Sequence, residues 1–246
     1  YGVELNNQTI GHSRNFIFLR FNIESAGNIL NAVNVALTKE SDALPRQVYN
    51  VPYFQYLRGD VDLRYYTILR KQNKLVYRIF AGLGYPYGNS NSLPYEKKYF
   101  SGGPNSIRAW STRDLGPGSF VDTTENRTLY FPNKNGDIKL EANLEYRFKV
   151  VWKLEGAIFL DVGNVWDFKT EPDRWRAAFE WDRFYKELAC GTGFGARFDF
   201  SFFLLRFDFG LKLRDPALPE NSRWIPVFKD FSLSDLGFKF GIGYPF

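Results

Sequence analysis

The sequence predicts an all-β chain: an antiparallel transmembrane β-barrel segment of about eight strands. Three observations carry this prediction. Segment after segment alternates apolar and ionic residues with a period of two. Aromatic residues make up 19% of the 246-residue chain, with 25 Phe and 15 Tyr, yet the mean hydropathy is only −0.34. A wall with one face in lipid and one in water gives such a value, because the two faces cancel in the average. Finally, tight and long connections alternate along the chain, as they do when antiparallel strands cross a membrane with turns on one side and loops on the other. No run of about 18 apolar residues occurs, which excludes a transmembrane helix and leaves the barrel as the route into a bilayer.

In chain order, YGVEL reads as the tail of a strand, followed by strands in FIFLRFNIES, YLRGDVDLRYYTILR and KLVYRIFAGLGY. The clearest alternation is in IKLEANLEYRF, where Leu140, Ala142, Leu144, Tyr146 and Phe148 oppose Lys139, Glu141, Asn143, Glu145 and Arg147. KLEGAIFLDVG repeats it, with Leu154, Ile158, Leu160 and Val162 against Lys153, Glu155 and Asp161. ACGTGFGARFDF sets Phe194 and Phe198 against Gly191, Gly193, Gly195, Arg197 and Asp199, and LLRFDFGLKLRD sets Phe207 and Phe209 against Arg206, Asp208 and Gly210. The chain closes with LGFKFGIGYPF, in which Leu236, Phe238, Phe240, Ile242, Tyr244 and Phe246 are expected on one face.

The connections at Leu69 to Lys74, Lys149 to Trp152 and around Ser201 are tight. Those from Ser25 to Pro52, Gly88 to Asp137, Asn164 to Glu187 and Asp215 to Asp235 are long and are assigned to the outer side. Within them, AGNILNAVNVAL and WDRFYKEL read as short helices. Tyr85, Tyr87, Trp152, Trp166 and Tyr244 lie near strand ends and suit an interfacial aromatic girdle.

The net charge is +5, but the 32 basic residues are interspersed with 27 acidic ones and form no dense basic tract, which argues against a nucleic-acid partner. A single cysteine, Cys190, allows no intrachain disulfide and no metal cluster, and no cofactor is expected. The one histidine, His12, has no nucleophile in view, so the chain is not expected to be an enzyme. Asp199 and Asp208 fall on Arg-rich faces, where ion pairing is favoured over acid catalysis.

The stretch FSGGPNSIRAW raises a question of its own. Arg108 stands between Ile107 and Ala109, before Trp110 and just after the pair Gly102 and Gly103. An exposed loop arginine is the common arrangement, yet its apolar neighbours are poorly suited to open water. A loop that folded into the lumen would bring the guanidinium to the ionic inner faces, where it can pair bidentately with a carboxylate. Asp161 and Glu145 are the best-placed partners.

FSGGPNSIRAW followed by NLEYRF, FLDVGNVWDF and a terminal Phe resembles the BamA/TamA superfamily of outer-membrane assembly barrels, the TamA-like group called TamL being nearest, over the chain from Tyr53 to Phe246. In that superfamily a Val/Ile-Arg-Gly-aromatic tip of the sixth extracellular loop enters the lumen and pairs with acidic residues on the following strands. The resemblance implies Ile107, Arg108, Ala109 and Trp110 as the tip, Gly102 and Gly103 as its backbone turn, Asp161 as the main partner and Glu145 as a second. Ala109 departs from the family's usual Gly, which bears on the tip backbone because Ala does not readily take a positive φ.

The resemblance further implies that residues 1–246 are the C-terminal part of a barrel of about sixteen strands, with N-terminal strands and periplasmic repeat domains lying outside this sequence. It implies a bacterial outer-membrane location, a role in inserting or exporting outer-membrane proteins, and as partners outer-membrane lipids, client proteins and a periplasmic or inner-membrane assembly component. Family members hold first and last strands together weakly, so that an open edge can template a client strand. Here that lateral seam would involve Gly237, Gly241, Gly243 and Phe246. Glycines there admit two readings, a bend or a close approach of the loop. The rival functions are a passive pore or surface-binding barrel without assembly activity and, more remotely, a soluble β-barrel binder.

Overall fold

A computed structural model describes the chain except residues 10–13, 38–44, 71–72, 122–133, 171, 173, 201 and 226–235; His12 therefore lies outside the described residues. Period-two alternation becomes strand throughout. The elements are β1 (Gly2–Asn6), β2 (Phe16–Ala26), α1 (Asn28–Leu37), β3 (Gln47–Val48), β4 (Val51–Pro52), β5 (Tyr56–Arg70), β6 (Asn73–Pro86), β7 (Ile138–Val151), β8 (Leu154–Trp166), β9 (Ala189–Asp199), β10 (Leu204–Arg214) and β11 (Leu236–Ile242). Nine of the strands form one sheet in the order β1-β2-β5-β6-β7-β8-β9-β10-β11, while β3 and β4 make a small separate hairpin. Every pairing in this sheet is antiparallel and joins consecutive strands, except that β2 pairs with β5 across the β3–β4 hairpin. β2 and β5 to β10 run to between 11 and 15 residues, enough for the roughly 9–11 a tilted strand needs to cross a bilayer.

The burial of the two faces is inverted relative to a water-soluble protein. Along β7, Glu141, Asn143, Glu145 and Arg147 are buried, whereas Ala142 is exposed and Leu140, Leu144 and Tyr146 are half-exposed. Ile79, Ile158, Phe194 and Phe238 are each more than half exposed on the outward face. Such a face is stable only against hydrocarbon, and the ionic inner face only where its charges find partners. The inner face is curled. Phe246 lies over Arg78 of β6 and Arg147 of β7, 5.8 and 5.7 Å from ring centre to guanidinium, although it follows the last strand.

The inner face is covered by the described part of the connection between β6 and β7, residues 87–121 and 134–137. Both buried apolar clusters lie where this loop docks: Ile107, Ala109, Trp110 and Leu115 with Ala189, and Tyr99 with Phe80 and Val165. Of the two expected helices, AGNILNAVNVAL gives α1, whereas WDRFYKEL yields only a 3₁₀ turn at Phe184–Glu187. A helix there would have to bury Trp181, Phe184 and Tyr185 on one side; instead their rings pack edge-to-face on one another, with Phe184 stacked on Phe179.

Two expectations about aromatic placement need correction. Trp166 is fully buried and belongs to no girdle, because the end of β8 is covered by the outer loops and its Nε1 donates to Glu187 at 2.8 Å. Tyr244 and Phe246 do not continue the outward row of Phe238, Phe240 and Ile242. β11 ends at Ile242, Gly243 takes φ +83°, and the chain turns inward. Tyr244 then donates to Glu155 at 3.0 Å while Phe246 becomes buried. Only a residue without Cβ reaches that φ without strain, so the glycine ends the alternation. Asp199 also differs, lying exposed at the short-turn end of β9 while Asp208 is buried.

Candidate functional site

The returning loop owes its path to two glycines. Gly102 and Gly103 take φ +91° and +92°, and a side-chain carbon at Gly102 would fall 2.1 Å from the Ser111 carbonyl oxygen. This reversal lets the Gly103 N–H donate to Trp110 O at 2.9 Å and the Trp110 N–H to Ile107 O at 3.1 Å, closing a compact tip. Ser101 and Ser106 both donate to Glu141 of β7, fastening the base of the tip to the wall.

Arg108 sits at the centre of this tip with no exposed surface. Its Nε and Nη2 donate to the two oxygens of Asp161 at 2.9 and 2.8 Å, and its own backbone N–H donates to the same carboxylate at 3.0 Å. Nη1 donates to Glu145 and lies 4.0 Å from Asp208. The guanidinium stacks 3.5 Å above the ring of Phe159. Desolvation works against the charged form, but Asp161 and Glu145 outweigh it and hold Arg108 more basic than a free arginine. Asn143 donates to Asp161 at 2.9 Å and to the Ser106 carbonyl at 3.2 Å, so loop and wall share one network.

The carboxylates are in turn shared among wall arginines. Glu145 accepts from Arg147 at 2.7 Å and Arg197 at 3.0 Å, and Asp208 lies 3.0 Å from Arg197 and 3.2 Å from Arg206. Farther along the inner face, Asp62 pairs with Arg78 at 2.9 Å and Arg64 at 2.8 Å, and Arg78 reaches Glu141 at 3.4 Å. Asp62 and Arg78 were not singled out in the sequence. Their signal was the same alternation, for each is the ionic member between outward apolar residues of its strand.

Ala109 is not among the residues with positive φ, so the tip keeps an alanine without backbone strain. It rests on a floor of glycines. A side-chain carbon at Gly191 would lie 2.7 Å from Ala109 Cβ, one at Gly210 2.9 Å from Ala109 Cα, and one at Gly237 3.2 Å from Ala109 O. The last strand's glycines thus divide between the two readings. Gly237 makes room for the tip, Gly241 makes room for Arg206, whose Nη2 would be 2.5 Å from an added carbon, and Gly243 makes the bend. The inward-turned Phe246 accepts at its carbonyl from Arg147 at 3.2 Å and puts its ring 5.6 Å from Arg108.

Toward the outer mouth, Gly118 and Ser119 are tied to the end of β8 around Glu187. Glu187 accepts from Ser119 at 2.9 Å and from Trp166, while Asn164 donates to Gly118 O at 2.8 Å and Glu187 O at 2.6 Å.

A curled antiparallel wall, apolar outside and ionic inside, with an arginine-tipped loop clamped on its inner face, defines an outer-membrane β-barrel of the kind whose lumen is occupied by its own loop. The chain belongs to the Omp85 superfamily: residues 18–246 match the Omp85 superfamily domain. It is 26% identical over 120 residues to the outer membrane protein assembly factor BamA of Neisseria meningitidis serogroup B (strain ATCC BAA-335 / MC58), a match spanning 48% of this chain and 15% of that protein. Its fold is similar to the crystal structure of BamA from Haemophilus ducreyi lacking POTRA domains 1-3, with a TM-score of 0.50 and 12% identity over 93% of this chain and 50% of that one. The chain therefore spans about half or less of the relatives it matches. Its location is the outer membrane.

Proposed function

We propose that this chain forms the C-terminal wall of a barrel that inserts or exports outer-membrane proteins, with the lumen loop as an internal brace and the last strand as a lateral seam for client strands. The observation that carries this reading is the clamp of Arg108 on Asp161 and Glu145, which fills the inner face with protein where a diffusion pore needs water. Membership of the Omp85 superfamily and the similarity to an assembly factor support the same direction. The seam is supported by β11 itself. It has 7 residues against 11 in β10, forms the edge of the sheet in this chain, and carries Gly237 and Gly241, with Gly243 bending the chain just beyond it. A short edge strand presents unpaired backbone groups, the chemistry of strand addition.

The experiment is a cross-link in the full-length protein. A disulfide between β11 and the opposite edge strand of the intact barrel is expected to abolish insertion of client barrels into liposomes and to restore it on reduction. Undiminished insertion in the locked protein would defeat the seam. Planar-bilayer recordings separate the rival reading, since a passive pore conducts steadily and a braced barrel is mostly closed.

A further inference from the structure

On the lipid-facing side of the wall, where β8, β9 and β10 reach the long-loop rim, lies an open groove of about 390 Å³. That volume is within the range of roughly 300–1,000 Å³ typical of small-molecule sites. Its floor is apolar, from Val162, Leu188 and Cys190, and its sides are Tyr185 and Trp224, both more than half exposed.

The cations at its edge are the unusual feature. Arg214, the last residue of β10, donates to the carbonyl oxygens of Leu188 and Lys186, the latter at 2.5 Å. Arg223 donates to the same Lys186 oxygen at 2.6 Å and to Leu218 O at 3.2 Å. Two guanidiniums therefore converge on one neutral oxygen, and among the described residues neither has a carboxylate at ion-pair distance. The arrangement is built rather than incidental. Residues 223–225 return along the end of β10, with Asp215 N donating to Arg223 O and Ile225 N to Leu213 O, both at 2.9 Å, and Trp224 is held opposite Arg214. Lys186 adds a third positive group to the rim.

Among the described residues, inner-face arginines such as Arg78, Arg197 and Arg206 lie at ion-pair distance from carboxylates, whereas Arg214 and Arg223 do not. Two neighbouring guanidinium forks suit an anion, and phosphate best. The apolar floor opens toward lipid, and Trp and Tyr at this height are suited to the boundary between acyl chains and headgroups. We propose that this groove binds a phosphate-bearing lipid of the outer leaflet, with the phosphate at Arg214, Arg223 and Lys186 and an acyl chain on Val162 and Leu188.

The test uses the full-length protein in phosphatidylcholine nanodiscs doped with diphosphoryl lipid A or its dephosphorylated form, with retained lipid counted by native mass spectrometry. The wild type is expected to retain the phosphorylated form about tenfold better, and the double variant Arg214→Gln/Arg223→Gln to lose that preference. Should the double variant fail to fold, Lys186→Gln/Trp224→Ala changes only exposed side chains and is expected to reduce the preference several-fold. Equal retention of both lipids by the wild type, a preference unchanged in the folded variants, or displacement of lipid by equimolar inorganic phosphate would overturn the proposal.

Discussion

Replacing Arg108 with Ala tests the brace most directly. The guanidinium has no exposed surface and satisfies Asp161 through two side-chain bonds and Glu145 through a third, with Asp208 at 4.0 Å. Its removal leaves at least one buried carboxylate without its main counter-charge. Breaking a buried pair from one side costs about 3–5 kcal/mol. The wall strands are held by their own ladders, so the penalty should fall on docking of the loop, where undocking lets water reach the stranded acids. At about 1.4 kcal/mol per factor of ten, the docking equilibrium constant should fall by roughly two to three and a half powers of ten. Amide hydrogen exchange of the full-length protein in detergent reads this at Gly103 and Trp110, whose N–H groups bond within the tip. Their protection should collapse while that of β7 and β8 persists. Arg108→Lys, which keeps the charge but loses the fork and much of the stacking on Phe159, should lie between the two. Unchanged protection at the tip in Arg108→Ala would refute the reasoning, as would an equal loss across the whole sheet.

Gly210→Ala places a carbon 2.9 Å from the backbone of Ala109 and should lift the tip at a cost of about 1–3 kcal/mol, visible as faster exchange at Trp110. Ala109→Gly should leave the tip docked, changing its stability by no more than about 1 kcal/mol through backbone entropy, as the same exchange measurement would record. Glu187→Gln removes the acceptor charge shared by Ser119, Trp166 and Arg183 and should loosen the outer loops by about 1–3 kcal/mol, seen as a red shift of tryptophan emission without loss of sheet circular dichroism. Removing the brace should also raise channel activity, so Arg108→Ala in planar bilayers is expected to open more often than the wild type.

Most of the wall was legible because alternation is a local property. In IKLEANLEYRF each residue declares its side, and a strand between lipid and an ionic interior leaves no position ambiguous. The inverted burial follows from the same pattern once, among the described residues, no second sheet packs on the outward face. The loop path was less legible. Gly102, Gly103 and the oddly placed Arg108 marked a return, but nothing local specified the Ser101 and Ser106 bonds to Glu141, which exist only because β7 lies beside the loop in space. The end of the chain was misread where alternation was extended past Gly243. A single left-handed glycine ends the alternation, so that Tyr244 reaches Glu155 and Phe246 becomes buried. Trp166 was misread for a related reason, since a tryptophan at a strand end looks alike whether headgroups or loops cover it.

The glycine floor beneath Ala109 is spread over three neighbouring strands, with Gly191 on β9, Gly210 on β10 and Gly237 on β11. Peeling β11 from its neighbour would carry off one ledge of that footing, along with the Lys239 ammonium that donates to Ser111 at 3.3 Å. Unzipping the edge and unseating the plug are therefore mechanically linked, and any strand that displaced β11 would also work loose the wedge that stiffens the wall from within.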